Sequence, residues 1–371
     1  MRAEIIIAMV AMAAVASPGA ILAQEEPTAE FGELIEVSEV LLDVLVTDRQ
    51  GKVIMGLGPD DFVIEEAGEP VPLTGASFYS NRFALRDDAA AGVQHPLPNE
   101  VPADRHFILF FHDQQRLAAE PNIMVRQQLR ASRQSQRWVR EEMLPGDWVA
   151  VVSYDVKLKV QQDFTRDREA LLRALKDAAQ GKDPGNIWAT RREVAEGQPS
   201  LLAHLPEGHD LRDETTTFYD GLRLLAEATL EIMGRKSVVL FSTGFGEIEI
   251  IGRTLQTSYA KPDPRYYPAL VEALNDNNVA VYPVDLAPSE MDTAQRHSLT
   301  QLASDSGGTY YGQFVNFITP LRQIADENNG YYLLSYQAEH PAGESGYREV
   351  KVEARNPEFR VRARQGYRYG T

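Results

Sequence analysis

The 371 residues carry a formal net charge of −17, are 43% hydrophobic and 25% charged, and contain no cysteine. That charge argues against nucleic acid or an anionic membrane as the principal partner, since both select a positive surface. Without cysteine there is no disulfide, thiolate metal site or lipid-anchored thiol, so the fold must rest on its core alone.

In chain order, the first feature is an apolar, Ala-rich run from Ile5 to Ala16, followed by Ser17-Pro18-Gly19 and by Ala20-Ile21-Leu22-Ala23 before Gln24-Glu25-Glu26. A short apolar core with small residues before a polar start is the layout of a signal peptide, here expected over 1–23. It is too short to span a bilayer comfortably, and no later stretch is apolar enough to do so, so an exported protein, periplasmic or secreted, is expected.

Residues 34–80 read as β-structure. A strand is expected over Val37–Val46, a second around Val53 and a third over Phe62–Glu65, with turns at Asp48–Lys52 and Ala67–Pro70. Residues 81–104, rich in Ala, Asp, Pro and Gly, read as a linker. From 105 to 329 strands alternate with helices. The expected strands are 106–111, 148–154, 157–162, 237–242 and 279–284; the helices lie near 122–143, 167–179, 216–233, 266–277, 293–304 and 315–328. This alternation implies a doubly wound, mainly parallel sheet with helices on both faces. Residues 330–371 return to β-structure. Neither β segment has strands enough to bury a core alone, so the two are expected to pack together as a small β-sandwich.

In a doubly wound sheet ligands bind beyond the carboxyl ends of the strands, where strand order reverses. The run Phe107–Phe111 stops at His112-Asp113, and Ser237–Phe241 stops at Ser242-Thr243-Gly244. The stretch Thr215-Thr216-Thr217 opens a helix with hydroxyls at its amino end. Asp113, Thr216, Ser242 and Thr243 are therefore the candidate site, with Gln115 and Arg116 following Asp113.

The stretches "LLDVLVTDRQGKVIMGLGPDDFVIEEAGEP" (41–70), "TTTFYDGL" (215–222), "SVVLFSTG" (237–244) and "GYYLLSYQAEHPAGESGYREVKVEARNPEFRVRARQGYR" (330–368) resemble, in this order, an exported bacterial family related to von Willebrand factor type A domains and best known from acidobacterial genomes. The resemblance implies a type A, Rossmann-like domain over 105–329, with an adhesive or scaffolding role. Type A domains often carry a metal-ion-dependent adhesion site built on Asp-x-Ser-x-Ser, a Thr before a helix and a distant Asp. A hard divalent cation there takes oxygen ligands and leaves a position for a partner's carboxylate. Mapped onto this chain, Asp113 keeps the first position, Gln115 and Leu117 replace the serines, Thr216 fits the threonine and Thr243 replaces the last Asp. The site is degenerate and no metal is expected. The alternative is Mg²⁺ held through Asp113 and Thr216. In two further readings Asp113 only ties the loops together by hydrogen bonds, or Arg116 stands in for the cation.

Loops 181–214 and 245–265 approach the same edge and would roof it. Arg126, Arg130, Arg133, Arg137 and Arg140 fall on one helical face; a solvated or locally paired stripe is the plainer reading, and an anionic partner the sharper one. Catalysis finds little support. There is no His-Glu-x-x-His, Gly-x-Ser-x-Gly or phosphate-binding loop, although a hydrolase with an unrecognised site stays open. Asp285 ends a strand and is a minor candidate for the same edge. The expected partner is a protein or cell-surface ligand.

Overall fold

The computed structural model describes residues 35–49, 52–80, 104–112, 121–184, 194, 197–251, 254–258, 261–287, 293–341 and 343–370, and these belong to one unit. The expected signal peptide, most of the expected linker and Asp113, Gln115 and Arg116 lie outside the described residues.

Along the chain the strands are β1 (Ile35–Thr47), β2 (Phe62–Glu66), β3 (Glu69–Val71), β4 (Leu73–Ser80) and β5 (Arg105–His112), followed by helix α1 (Pro121–Glu141). Then come β6 (Asp147–Tyr154), β7 (Leu158–Thr165), α2 (Arg168–Ala179), α3 (Gly208–Glu214), α4 (Phe218–Glu227), β8 (Lys236–Ser242), β9 (Glu247–Ile251) and β10 (Thr254–Ser258). The rest is α5 (Tyr267–Asp276), β11 (Val279–Asp285), α6 (Thr293–Asp305), α7 (Ile318–Glu327), β12 (Gly330–Pro341), β13 (Gly346–Ala354), β14 (Arg360–Arg362) and β15 (Gly366–Tyr369).

The central sheet has the order β11-β8-β5-β6-β7. Its first four strands are parallel, and β7 returns antiparallel to β6. Every residue of β5, β8 and β11 is buried. Covered on both faces, these strands read as unbroken apolar runs rather than as alternation. Phe107, Leu109 and Phe111 pack under α1, α2 and α7, whereas Ile108 and Phe110 pack under α3, α4, α5 and α6. This is the doubly wound α/β class expected from the alternation.

The two terminal β segments share sheets. β1 runs antiparallel to β12 from Ile35 opposite Pro341 to Val44 opposite Tyr332. One sheet has the order β14-β1-β12-β4 and the other β15-β13-β2-β3. Val40, Leu42, Val44, Tyr332, Leu334 and Tyr336 of the first bury a common core with Phe62, Ile64, Val350 and Tyr367 of the second. The small β-sandwich is thus built from both ends of the chain, as expected.

Several elements differ from expectation. The strand expected around Val53 is a single bridge from Val53 to Thr47. Within the β-structure expected over 330–371 the chain end divides: β14 pairs with β1 and β15 with β13, so one short stretch serves both sheets. The helix expected over 216–233 is confined to 218–227, because Thr217 caps it: the hydroxyl accepts from Asp220 N.

Candidate functional site

Three segments of the chain meet at the carboxyl edge of the central sheet. The first is the end of β5 at His112, whose side chain is buried. His112 Nδ1 and Ser242 Oγ hydrogen-bond each other at 2.9 Å across adjacent strands, and the His112 ring stacks on Phe218 with centroids 4.3 Å apart. Burial holds the imidazole well below its ordinary range, at about 3, so it is neutral at physiological pH. Ser242 Oγ also accepts from Gly244 N at 3.0 Å. The sequence placed His112 beside the site as an isolated residue; its bond to Ser242 depends on strand order, which no local motif encodes.

The second segment precedes α4. Thr215 is buried: its hydroxyl donates to Leu211 O at 2.6 Å and accepts from Leu158 N at 3.2 Å, while Tyr154 OH donates to Thr215 O at 3.2 Å. Thr217 Oγ1 donates to Asp220 Oδ2 at 2.6 Å and accepts from Asp220 N at 3.1 Å. Only Thr216, between them, is exposed. Its neighbours are used in folding, Thr215 buried and Thr217 half-buried.

The third is the loop that leaves β8 through buried Thr243 and Gly244. Gly244 has φ of 120°, a conformation that side-chain-bearing residues rarely adopt. Tyr219 OH then fastens both arms of the loop, donating to Gly246 O at 2.9 Å and accepting from Asp263 N at 2.8 Å. Between those anchors β9 and β10 form a hairpin that pairs with no other strand among the described residues. The loop read from sequence as 245–265 therefore contains regular structure, and α3 likewise lies within 181–214. The side chains of Ile248, Ile250 and Ile251, like Trp188, lie outside the described residues.

Beside Ser242, in register on β11, Asp285 is buried. It accepts from Tyr310 OH at 2.8 Å and from Ala287 N at 2.7 Å, with Arg296 Nε at 3.4 Å. Burial raises its carboxyl above the usual range, and these partners only moderate the rise. Asp285 thus joins this edge as a latch on the following segment.

The described residues fit a cation badly. Ser242 is committed to His112 and Gly244, Asp285 to Tyr310 and Ala287, and Asp220 to Thr217, which leaves the neutral hydroxyl of Thr216 where a hard divalent ion wants carboxylates. Among the described residues no three His, Asp or Glu side chains cluster as metal ligands. The cavity lined by Arg105, Arg235, Glu327, Asn328 and Tyr331 lies at the opposite, amino end of the strands, beside the sandwich.

No family model and no curated protein matches the chain. Solved structures similar to it include human COPII-coat protein Sec24c, at 10% identity and TM-score 0.40, over 72% of this chain and 44% of that one. Others are the vWF domain of the type V pili tip protein Mfa5 from Porphyromonas gingivalis (13%, TM-score 0.37, 61% and 95%) and the ArnB paralog VWA2 from Sulfolobus acidocaldarius (11%, TM-score 0.34, 90% and 75%). This chain spans less than half of the Sec24c chain. Similarity this distant carries no functional argument, and the fold class rests on the strand order itself. Among the described residues no helix is long and apolar enough to cross a membrane.

Proposed function

We propose that the chain is an exported, non-enzymatic binding protein. A signal peptide (1–23) and linker (81–104) join a β-sandwich (34–80 with 330–371) to a type A domain (105–329). That domain engages a protein or cell-surface ligand at the carboxyl edge of its sheet, without nucleic acid and without a metal. The observation that carries the reading is the edge itself, where exposed Thr216 immediately precedes the capped start of α4, whose Phe218 and Tyr219 pack with Phe245 as an aromatic floor. A surface that is rigid below and open above suits binding to a partner more than enclosure of a substrate.

The His112–Ser242 contact is the one observation that favours a hydrolase instead, because it joins a hydroxyl to a base. Ser242 has no exposed surface, however, and burial lowers the basicity of the imidazole, which makes it a poor acceptor for a hydroxyl proton. The pair supports the fold.

Calorimetric titration of the full chain with Mg²⁺ or Mn²⁺ tests the metal-free reading. No saturable heat is expected from the wild type. Clear binding that is lost in Asp113→Ala would replace this reading with a metal-dependent adhesion module.

A further inference from the structure

The helices on the two faces of the central sheet carry opposite charge. On one face α1, α2 and α7 hold nine Arg or Lys against five Asp or Glu, and on the other α3, α4, α5 and α6 hold three against eight. The asymmetry is concentrated at two places. On α1, Arg126, Arg130, Arg133, Arg137 and Arg140 are all exposed, and the first acidic residue of the helix is Glu141. Their Cα atoms span about 21 Å along the axis at 1.5 Å per residue. Arg137 pairs with Glu141, whereas Arg130 and Arg133 have no ionic partner among the described residues. On α3, Asp210, Asp213 and Glu214 are exposed, share one face by their three- and four-residue spacing, and have no ionic partner among the described residues either.

The acidic side has a second property of an interface. Leu230 and Met233, in the turns after α4, are 73% and 65% exposed, and Glu227 and Glu231 flank Leu230. His204, which shortly precedes α3, pairs with Glu231 at 3.4 Å and so ties this apolar spot to the acidic helix. Glu227 is itself paired with Arg223 at 2.6 Å, so an incoming arginine finds apolar groups for its alkyl stem here and carboxylates for its guanidinium on α3.

We infer that a second copy of this chain occupies the α1 face: the Arg stripe of one copy docks on the surface formed by α3 and the Leu230–Met233 turns of the next. The contact is heterologous, since different surfaces meet. It leaves the pair with one free face of each sign, so it propagates into chains of copies. Individual exposed ion pairs are weak and screened by salt, so the association is concentration-dependent and dissolves as ionic strength rises.

Sedimentation velocity of the full chain at low and high salt reads this out. The wild type is expected to form salt-sensitive oligomers. The double variants Arg130→Glu/Arg133→Glu and Asp210→Arg/Asp213→Arg are each expected to be monomeric, because each puts like charge opposite like charge at the centre of the contact, with self-affinity weakened tenfold or more. Mixing the two variants restores complementary faces and is expected to restore the oligomers, which also shows that both fold. A wild type that stays monomeric at low salt overturns the inference, as does a mixture that fails to assemble. A monomeric wild type that instead binds anionic lipid vesicles through the same arginines assigns the stripe to a membrane surface.

Discussion

His112 and Ser242 close the floor of the candidate site from adjacent strands, side chain to side chain at 2.9 Å, with both residues buried. Ser242→Ala strips His112 Nδ1 and Gly244 N of their partner in a dry environment. An uncompensated buried polar group costs about 1–3 kcal/mol. Denaturant unfolding is expected to show that loss with an unchanged m-value.

His106, near the other end of β5, is buried against Phe164 with its Nδ1 unbonded. Burial, then Lys236, lowers its folded-state value from 6.5 to about 4. The unfolded chain therefore binds a proton that the folded chain refuses between those values. The neutral histidine's contribution is complete above about pH 6.5 and is lost as pH falls toward about 4. In His106→Gln, stability measured across this window is expected to fall less steeply than in the wild type, by up to about 1.4 kcal/mol per pH unit. Parallel profiles would remove His106 as the cause.

Arg105 and Asp147 form a bidentate pair on adjacent strands at 2.7 Å and are almost fully buried. Arg105 also donates to Ala325 O and Asn329 Oδ1, joining the start of β5 to the end of α7. Asp147→Ala leaves a guanidinium without its counter-ion, which costs about 3–5 kcal/mol. The same substitution combined with Arg105→Met is expected to recover part of that in thermal or denaturant unfolding.

What was legible in the sequence followed from packing. The unbroken apolar runs of β5, β8 and β11 mark strands covered on both faces, and the sandwich followed from two β segments that each had too few strands to bury a core alone. Short elements held by tertiary contacts were not legible. Helix α3 has one buried residue, Leu211, and so shows no apolar period. Strand β14 pairs over three residues. Thr216, Ser242 and Thr243 could be named because hydroxyls and glycine cluster there. The His112–Ser242 bond and the Asp285–Tyr310 latch could not, because they join residues 130 and 25 positions apart.

Asp163 organises the loop between α2 and α3 from a single carboxylate. It accepts from Ser200 Oγ at 2.6 Å, Leu201 N at 2.7 Å and Leu202 N at 3.3 Å. Asp163→Ala is expected to release this segment locally, so limited proteolysis should cut near 197–207 faster. The measured global stability should fall by about 1–3 kcal/mol. An unchanged cleavage pattern would mean that buried Leu201 and Leu205 suffice to hold it.

Binding of a partner at the carboxyl edge without a metal is tested at Thr216, which is exposed and whose side chain makes no hydrogen bond among the described residues. A surface substitution of this kind changes stability by about 0.5 kcal/mol or less. The decisive measurement is quantitative affinity capture from the native envelope fraction or culture medium, with wild type and Thr216→Arg, each in Mg²⁺ and in EDTA. A partner is expected to be recovered equally by the wild type in both buffers and to be lost by Thr216→Arg at unchanged melting temperature. Equal recovery by Thr216→Arg, or loss of the partner in EDTA, would contradict it.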